Sequence, residues 1–108
     1  STPVGDVSEI KAVQNVFGNE PTNLVLSATK SMTGHLLGAA GAIEAILSIK
    51  AINNNIIPPT INVDKVDERI PQKMRIAKNS AMETNVNVAM SNAFGFGGHN
   101  AIVIFKGI

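Results

Sequence analysis

The spacing of apolar residues in the first part of the chain is that of a helix. They recur every three or four positions over residues 7–17, which predicts a helix there. Asp6 and Glu9 fit a capping box at its start, in which each side chain satisfies a free backbone N–H. Gly18 and then Pro21 end it, because glycine adopts the left-handed stop and proline cannot continue a helix.

Two apolar segments follow. The short run Leu24–Ala28, bounded by polar residues, predicts a buried strand. From Gly34 or Leu36 to Asn53 the chain is almost entirely alanine, leucine and isoleucine, which predicts a helix that is apolar nearly all round and therefore buried. Gly38 and Gly41 within it indicate that another backbone approaches closely.

The second half predicts a long loop followed by strands. The loop covers residues 58–74, and the predicted strands are Arg75–Ala77, Val86–Ala93 and Ala101–Phe105. Between the last two lies the glycine-rich run 95–98, which is either a tight hairpin or a flat backbone with free N–H groups. The order helix, strand, helix, loop and two strands is an α/β layout, too small to cover its own apolar helix.

Composition narrows the classes of function. The 108 residues carry a net charge of +1 with no block of like charge, which argues against nucleic-acid binding and against a polybasic membrane contact. Only 16% of residues are charged, so we expect much of the surface to face other protein. Cysteine is absent, which excludes a thiol nucleophile or thiolate site within these residues. With no signal sequence and no starting methionine, the chain looks cut from a longer cytoplasmic protein.

Three charged or titratable residues lie at the start of the apolar helix. His35 sits at a polar corner, where a helix N-terminus favours neutral imidazole that can donate an N–H; a histidine that merely begins a helix is the alternative. Lys30 and Glu44 lie beside or within apolar sequence, so one alternative is that they form an ion pair with each other. The other, which the general pattern favours, is that Glu44 and Ser48 form a solvent-exposed polar stripe on the helix.

The sequence predicts neither a metal site nor a dinucleotide site. His99 and Asn100 do not predict a metal site, because the chain has one other histidine and no cysteine. The run 95–98 is not a dinucleotide fingerprint, since its third glycine is missing and a strand follows it. We therefore expect no metal and no cofactor.

Three stretches taken together resemble one family. They are Lys30–Gly41, Pro58–Asn62 and Ser91–Asn100. In order and spacing they resemble the C-terminal portion of the β-ketoacyl-[acyl-carrier-protein] synthases, most closely the synthase II members. The resemblance covers residues 1–108, which we treat as one part of the second half of such an enzyme.

The resemblance implies a thiolase-like α/β fold of two similar halves in layers, of which this chain is the end of the second half. It implies that the chain begins just after the first catalytic histidine, with the nucleophilic cysteine further upstream. The fragment alone is then expected to be inactive.

The resemblance also implies roles for particular residues. They are His35 as the second catalytic histidine, Lys30 as the site lysine, Glu44 as its acidic partner, Thr2 as a pantetheine contact, the backbone N–H of Phe96 as an oxyanion-hole donor, and the rings of Phe94 and Phe96 at the acyl pocket with Phe96 as its gate. His99 stands where the family often has threonine, so it is not counted as catalytic.

The implied reaction is a decarboxylative Claisen condensation in fatty acid elongation. Malonyl-carrier protein loses CO2 and joins an acyl group held on the upstream cysteine, so the implied partners are acyl carrier protein with its phosphopantetheine and a second copy of the enzyme. Two alternatives stay open: a polyketide ketosynthase or other thiolase relative, and a non-catalytic interaction or dimerisation module.

Overall fold

The computed structural model describes residue 2, residues 4–21 and residues 23–108. Its elements in chain order are α1 (Gly5–Phe17), β1 (Val25–Leu26), α2 (Lys30–Thr33), one turn of 3₁₀ helix (Leu37–Ala39), α3 (Ala40–Asn54), β2 (Ile56–Ile57), β3 (Arg75–Ile76), β4 (Met82–Glu83), β5 (Val88–Gly95) and β6 (His99–Lys106). The described chain is therefore mixed α and β, as expected.

The strands form three separate pairs. β1 and β3 are parallel, and β2 and β4 are antiparallel. β5 and β6 form the longest pair, an antiparallel hairpin whose register runs from Val88 opposite Lys106 to Gly95 opposite His99. α3 packs against β5 and β6, which makes the helix and the hairpin the main layers of this part of the molecule.

A small core forms where α1 meets the segments around β1 and β3. Ile10 and Val13, on the apolar side of α1, pack with Met74. The half-buried side chains around this cluster are Leu24, Leu26 and Ile70. The helical spacing of the apolar residues predicted which face of α1 is buried.

The capping box predicted for α1 is wrong. The helix begins at Gly5, and the Thr2 hydroxyl accepts a hydrogen bond from the Gly5 N–H at 2.9 Å. Glu9 is turned to another partner, because its carboxylate accepts from the side-chain amide of Asn92 at 3.1 Å. The N-cap residue is Val4, which makes no side-chain capping bond, and α1 starts earlier than residue 7.

The apolar helix is shorter than predicted. α3 begins only at Ala40, because Leu37 has a positive φ of 51° that interrupts helical geometry. The sites at Gly38 and Gly41 face open space among the described residues, so the expected close backbone approach is absent there. Ile46 is half exposed, which agrees with the expectation that a chain of this size does not cover its own apolar helix.

The hairpin resolves the two interpretations of the glycine-rich run. Phe96, Gly97 and Gly98 form a three-residue turn between β5 and β6, and both glycines have φ of 81°. The tight hairpin is therefore the correct alternative, since a left-handed turn of this kind needs residues without a Cβ. The two strands are longer at the turn than predicted, reaching Gly95 and His99.

Two of the short strands lie where they were predicted. β1 (Val25–Leu26) and β3 (Arg75–Ile76) fall within the predicted strands Leu24–Ala28 and Arg75–Ala77, whereas the pair β2 and β4 was not predicted. Residues 29–33, expected to be a polar corner, contain the single-turn helix α2. Within the described residues, no helix is long and apolar enough to cross a membrane.

Candidate functional site

Lys30 and Glu44 form an ion pair that joins α2 to α3. The Glu44 side chain is only 10% exposed, whereas that of Lys30 is 41% exposed. A carboxylate at this depth is stabilised by a cation that satisfies its charge. The structure therefore confirms the pair and excludes the solvated stripe, and Ser48 instead donates its hydroxyl to the Glu44 backbone oxygen at 2.9 Å.

His35 lies between α2 and the 3₁₀ turn, with an exposed side chain. Its Nδ1 accepts a hydrogen bond from the Leu37 backbone N–H at 3.0 Å. A nitrogen that accepts carries no proton, so this hydrogen bond assigns the ring proton to Nε2. The structure therefore presents His35 as an Nε2–H donor.

The position of His35 differs from the predicted one. The sequence predicts the imidazole at the N-terminus of the apolar helix, but α3 starts at Ala40 and His35 precedes even the 3₁₀ turn. The Leu37 N–H fixes the tautomer, because it bonds to Nδ1. The break also separates His35 from the helix of Glu44, so the two need not lie on opposite faces of one helix.

Leu37 is a site residue that the sequence did not indicate. Its φ of 51° is a left-handed conformation that leucine rarely adopts, and its side chain is 79% exposed. Backbone strain of this kind costs roughly 1–2 kcal/mol and tends to occur at functional sites. Here it turns the Leu37 N–H back onto the ring of His35.

Phe96 stands at the tip of the β5–β6 hairpin. Its ring is fully exposed, so it packs on none of the described residues, and the ring of Phe94 in β5 is about half exposed. His99, which begins β6, lies opposite Gly95 and has its ring beside Gly97. The hairpin therefore holds Phe94 in a regular ladder and leaves Phe96 in the turn.

Thr2 and Asn92 are two further polar residues with hydrogen bonds to α1. Thr2 is exposed and its hydroxyl is engaged at the start of α1, as described above. Asn92, on β5, donates to Glu9 of α1, while its Oδ1 is buried without a partner among the described residues. An asparagine between apolar strand positions was the available signal for Asn92, because a buried amide needs partners.

The strongest electrostatic effect lies elsewhere, in the exposed loop before β3. A hydrogen bond from the Arg69 guanidinium, followed by one from its backbone N–H, holds the pKa of the Asp67 carboxyl well below its usual range. The same bond raises the pKa of Arg69. The side chains of Arg69 and Asp67 are 55% and 40% exposed, so this ion pair is a surface feature rather than part of the site.

The Nε2–H donor of His35 suits stabilisation of a negative oxygen, and α2, directly before it, carries the lysine of the Lys30–Glu44 pair. The chain belongs to the β-ketoacyl synthase C-terminal domain family, whose model matches residues 1–64. The matched residues include Lys30, His35 and Glu44, and the hairpin lies beyond them.

A curated relative supports the same assignment along the whole chain. It is the 3-oxoacyl-[acyl-carrier-protein] synthase 2 of Staphylococcus aureus, 50% identical over 106 residues that make up 98% of this chain and 26% of that protein. The chain thus spans about a quarter of the length of the curated relatives it matches.

Solved structures share the fold. The ishigamide ketosynthase/chain length factor superposes with a TM-score of 0.88 at 38% identity, over 97% of this chain and 25% of that one. A type II PKS acyl-carrier protein in complex with its ketosynthase bound to the hexaketide gives a TM-score of 0.90 at 27% identity, over 99% and 26% of the two chains. The thiolase-like ketosynthase fold expected from the sequence is therefore confirmed.

Proposed function

We propose that residues 1–108 are the C-terminal portion of a 3-oxoacyl-[acyl-carrier-protein] synthase of fatty acid elongation. The observation that carries the proposal is the state of His35, whose Nδ1 accepts from the Leu37 N–H at 3.0 Å and leaves Nε2–H free to donate. A neutral donor stabilises a developing oxyanion without first giving up its own proton. The names of the relatives supply the reaction class.

In the proposed reaction the acyl group is held as a thioester on a cysteine outside this chain. Malonyl-carrier protein loses CO2, and the electron pair of the broken C–C bond passes into an enolate of the carrier thioester. The Nε2–H of His35, with a first histidine also outside this chain, donates to the enolate oxygen. The enolate carbon then attacks the acyl thioester, and the cysteine leaves as thiolate.

The hairpin serves the second step. The tetrahedral intermediate needs backbone N–H donors, and the N–H of Phe96 is one of them, since its glycine neighbours let the backbone come close. The ring of Phe96 gates the acyl pocket that Phe94 also lines. Lys30 and Glu44 fix the local charge, and Thr2 contacts the pantetheine arm.

The proposed partners follow from this chemistry. Acyl carrier protein delivers both substrates, and the neighbour solved with an acyl-carrier protein supports that assignment. Because the chain spans about a quarter of its curated relatives, we propose that it works only as part of a longer chain, as a homodimer in the cytoplasm.

The test is the rate of malonyl-carrier-protein decarboxylation by the full-length protein that contains this chain. His35→Ala should lower kcat by roughly 10²–10³-fold, the loss expected for one oxyanion donor. His99→Ala is the matched control, because it removes the chain's other histidine, and it should leave the rate unchanged. Near wild-type turnover in His35→Ala would refute the proposed role.

A polyketide ketosynthase is the second candidate within the same fold, favoured by the structural neighbour from a type II PKS. The higher identity to the 3-oxoacyl-[acyl-carrier-protein] synthase 2 relative, 50%, supports the first candidate. Products separate them, since repeated condensation without reduction yields a poly-β-keto chain. A folded full-length protein with no decarboxylation at all would instead favour the non-catalytic module.

A further inference from the structure

The turn that carries Lys30 and His35 has little packing of its own. α2 is a single turn of four residues, Lys30–Thr33, with no buried residue, and Met32 within it is 42% exposed. Helices this short are not stable by themselves in water, because nucleation costs more than one turn returns. Its position must therefore be set by contacts with another segment.

Besides the Lys30–Glu44 ion pair to α3, those contacts come from residues 58–61, about thirty positions further along the chain. The Ala28 N–H donates to the Thr60 hydroxyl at 2.8 Å, and the Ile61 N–H donates to the Ser31 hydroxyl at 2.9 Å. The Ser27 hydroxyl adds a third bond, donating to the Pro58 carbonyl at 2.5 Å. The first two bonds lie on either side of Lys30 in the sequence.

Thr60 itself is held firmly. Its N–H donates to the Ala77 carbonyl at 2.7 Å, and its carbonyl accepts from the Asn79 N–H at 2.8 Å. Ala77 has no exposed surface, and its own N–H donates to Leu26 at 3.0 Å, so this backbone is tied to β1. With both backbone groups bonded into the fold, the side-chain hydroxyl of Thr60 is what reaches the turn.

The hydrogen bonds from residues 58–61 also fix the position of His35, because α2 ends directly before it. The Gly34 N–H donates to the Lys30 carbonyl at 2.9 Å, which closes α2 directly before the histidine. Moving the start of the turn therefore moves both Lys30 and His35. Displacements near 1 Å at a reacting centre can cost about 10²-fold in rate.

We propose that Thr60 and Ser31 are positioning residues of the site, whose hydroxyls hold the 28–34 turn so that Lys30 and His35 keep their reactive geometry. The proposal rests on the proposed condensing function for its kinetic consequence. Neither residue touches substrate in it, and each acts through the turn.

The test compares substitutions at Thr60 in the full-length protein that contains this chain. Thr60→Val keeps the shape but removes the acceptor, whereas Thr60→Ser keeps the hydroxyl. We expect Thr60→Val to lower kcat for malonyl-carrier-protein decarboxylation by between about 10-fold and 100-fold, with KM within about 2-fold. Thr60→Ser should recover most of the rate, and Ser31→Ala should resemble Thr60→Val.

Thr84→Val is the matched control, because Thr84 is exposed and bonds to Asn55 through its backbone N–H at 3.0 Å. It should leave kcat unchanged. A second measurement is amide hydrogen exchange, in which Thr60→Val should speed exchange at Ala28 and across α2 while the β5–β6 hairpin keeps its wild-type rates.

Three outcomes would overturn the proposal. The first is wild-type kcat in folded Thr60→Val, and the second is a Thr60→Ser variant as slow as Thr60→Val. The third is a loss of activity that only follows a general loss of thermal stability, with exchange faster everywhere. If the wild-type protein fails to decarboxylate malonyl-carrier protein, the proposed function fails, and unchanged exchange at Ala28 in Thr60→Val then refutes the positioning role separately.

Discussion

Glu44 is an acidic residue in a nearly buried position. Its side chain is 10% exposed on α3, and among the described residues its carboxylate is paired with Lys30, which reaches it from a different helix. Removing one partner of such a pair leaves a charge in a poorly solvated position, which costs more than losing an exposed pair. The charge balance of the site is thus set by one contact between residues fourteen positions apart.

Lys30→Ala should therefore lower the free energy of unfolding by about 1–3 kcal/mol. This loss is larger than the ~0–1 kcal/mol that an exposed ion pair contributes. It is smaller than the loss expected for a fully buried pair, because the Lys30 side chain is 41% exposed. Denaturant unfolding of the full-length protein measures it. Lys65→Ala is the control, since its bond to Glu68 is fully on the surface at 78% and 81% side-chain exposure. Equal, small effects of the two substitutions would contradict the buried pair.

At the level of elements, the apolar pattern located the long elements and also the short strands β1 and β3, which lie in apolar runs bounded by polar residues. α1, α3 and the two strands of the hairpin carry enough residues for a spacing to be recognised, and each was predicted near its observed place. β2 and β4 have two residues each, too few to show alternation. Their pairing depends on contacts between distant segments, which no local pattern records.

In the site, too, some contacts could be predicted from the sequence and others could not. The Lys30–Glu44 pair was one of two alternatives because charges beside apolar sequence need partners, and the structure selected it. The Leu37 N–H that fixes His35 was not predictable, since every residue has a backbone N–H and a left-handed leucine contradicts local preference. The hydroxyl of Thr60 reaches the turn only through the fold.

The hairpin turn separates two possible roles of Phe96. If the ring were core packing, truncation would cost ~3–5 kcal/mol, but it is fully exposed in the described chain and flanked by glycines. Phe96→Ala should therefore leave thermal stability and malonyl decarboxylation largely unchanged in the full-length protein. It should alter acyl loading or the product chain lengths, since the backbone N–H stays and only the gate is lost.

The test measures three properties of the same Phe96→Ala protein: its melting temperature, its rate of malonyl decarboxylation and the chain lengths of its products. Phe17→Ala, at the exposed end of α1, is the matched truncation and should change none of the three. Uniform loss of all three in Phe96→Ala would show that the ring is structural, and the gate would have to be abandoned.

At the level of the whole molecule, apolar surface is distributed in an unusual way. The core around Ile10 and Met74 is small, while apolar side chains on α3 and β6 remain exposed, among them Ile46, Ile102 and Ile104. The sequence indicated this imbalance through its low share of charged residues, 16%. A chain of this kind buries too little of its own surface to gain much from the hydrophobic effect alone.

The chain also lacks one group that the proposed reaction needs. The proposed condensation needs a thiol to carry the acyl group, and these 108 residues contain no cysteine. The isolated chain, incubated with acyl-carrier protein, should therefore gain no mass by intact mass spectrometry, whereas the full-length protein should gain one acyl group. Hydroxyl and amine side chains are weak nucleophiles unless a neighbouring group activates them, so the absence of an adduct should persist on long incubation. A stable acyl adduct on this chain alone would place a nucleophile within it, and the proposed division of labour between this chain and the cysteine outside it would be wrong.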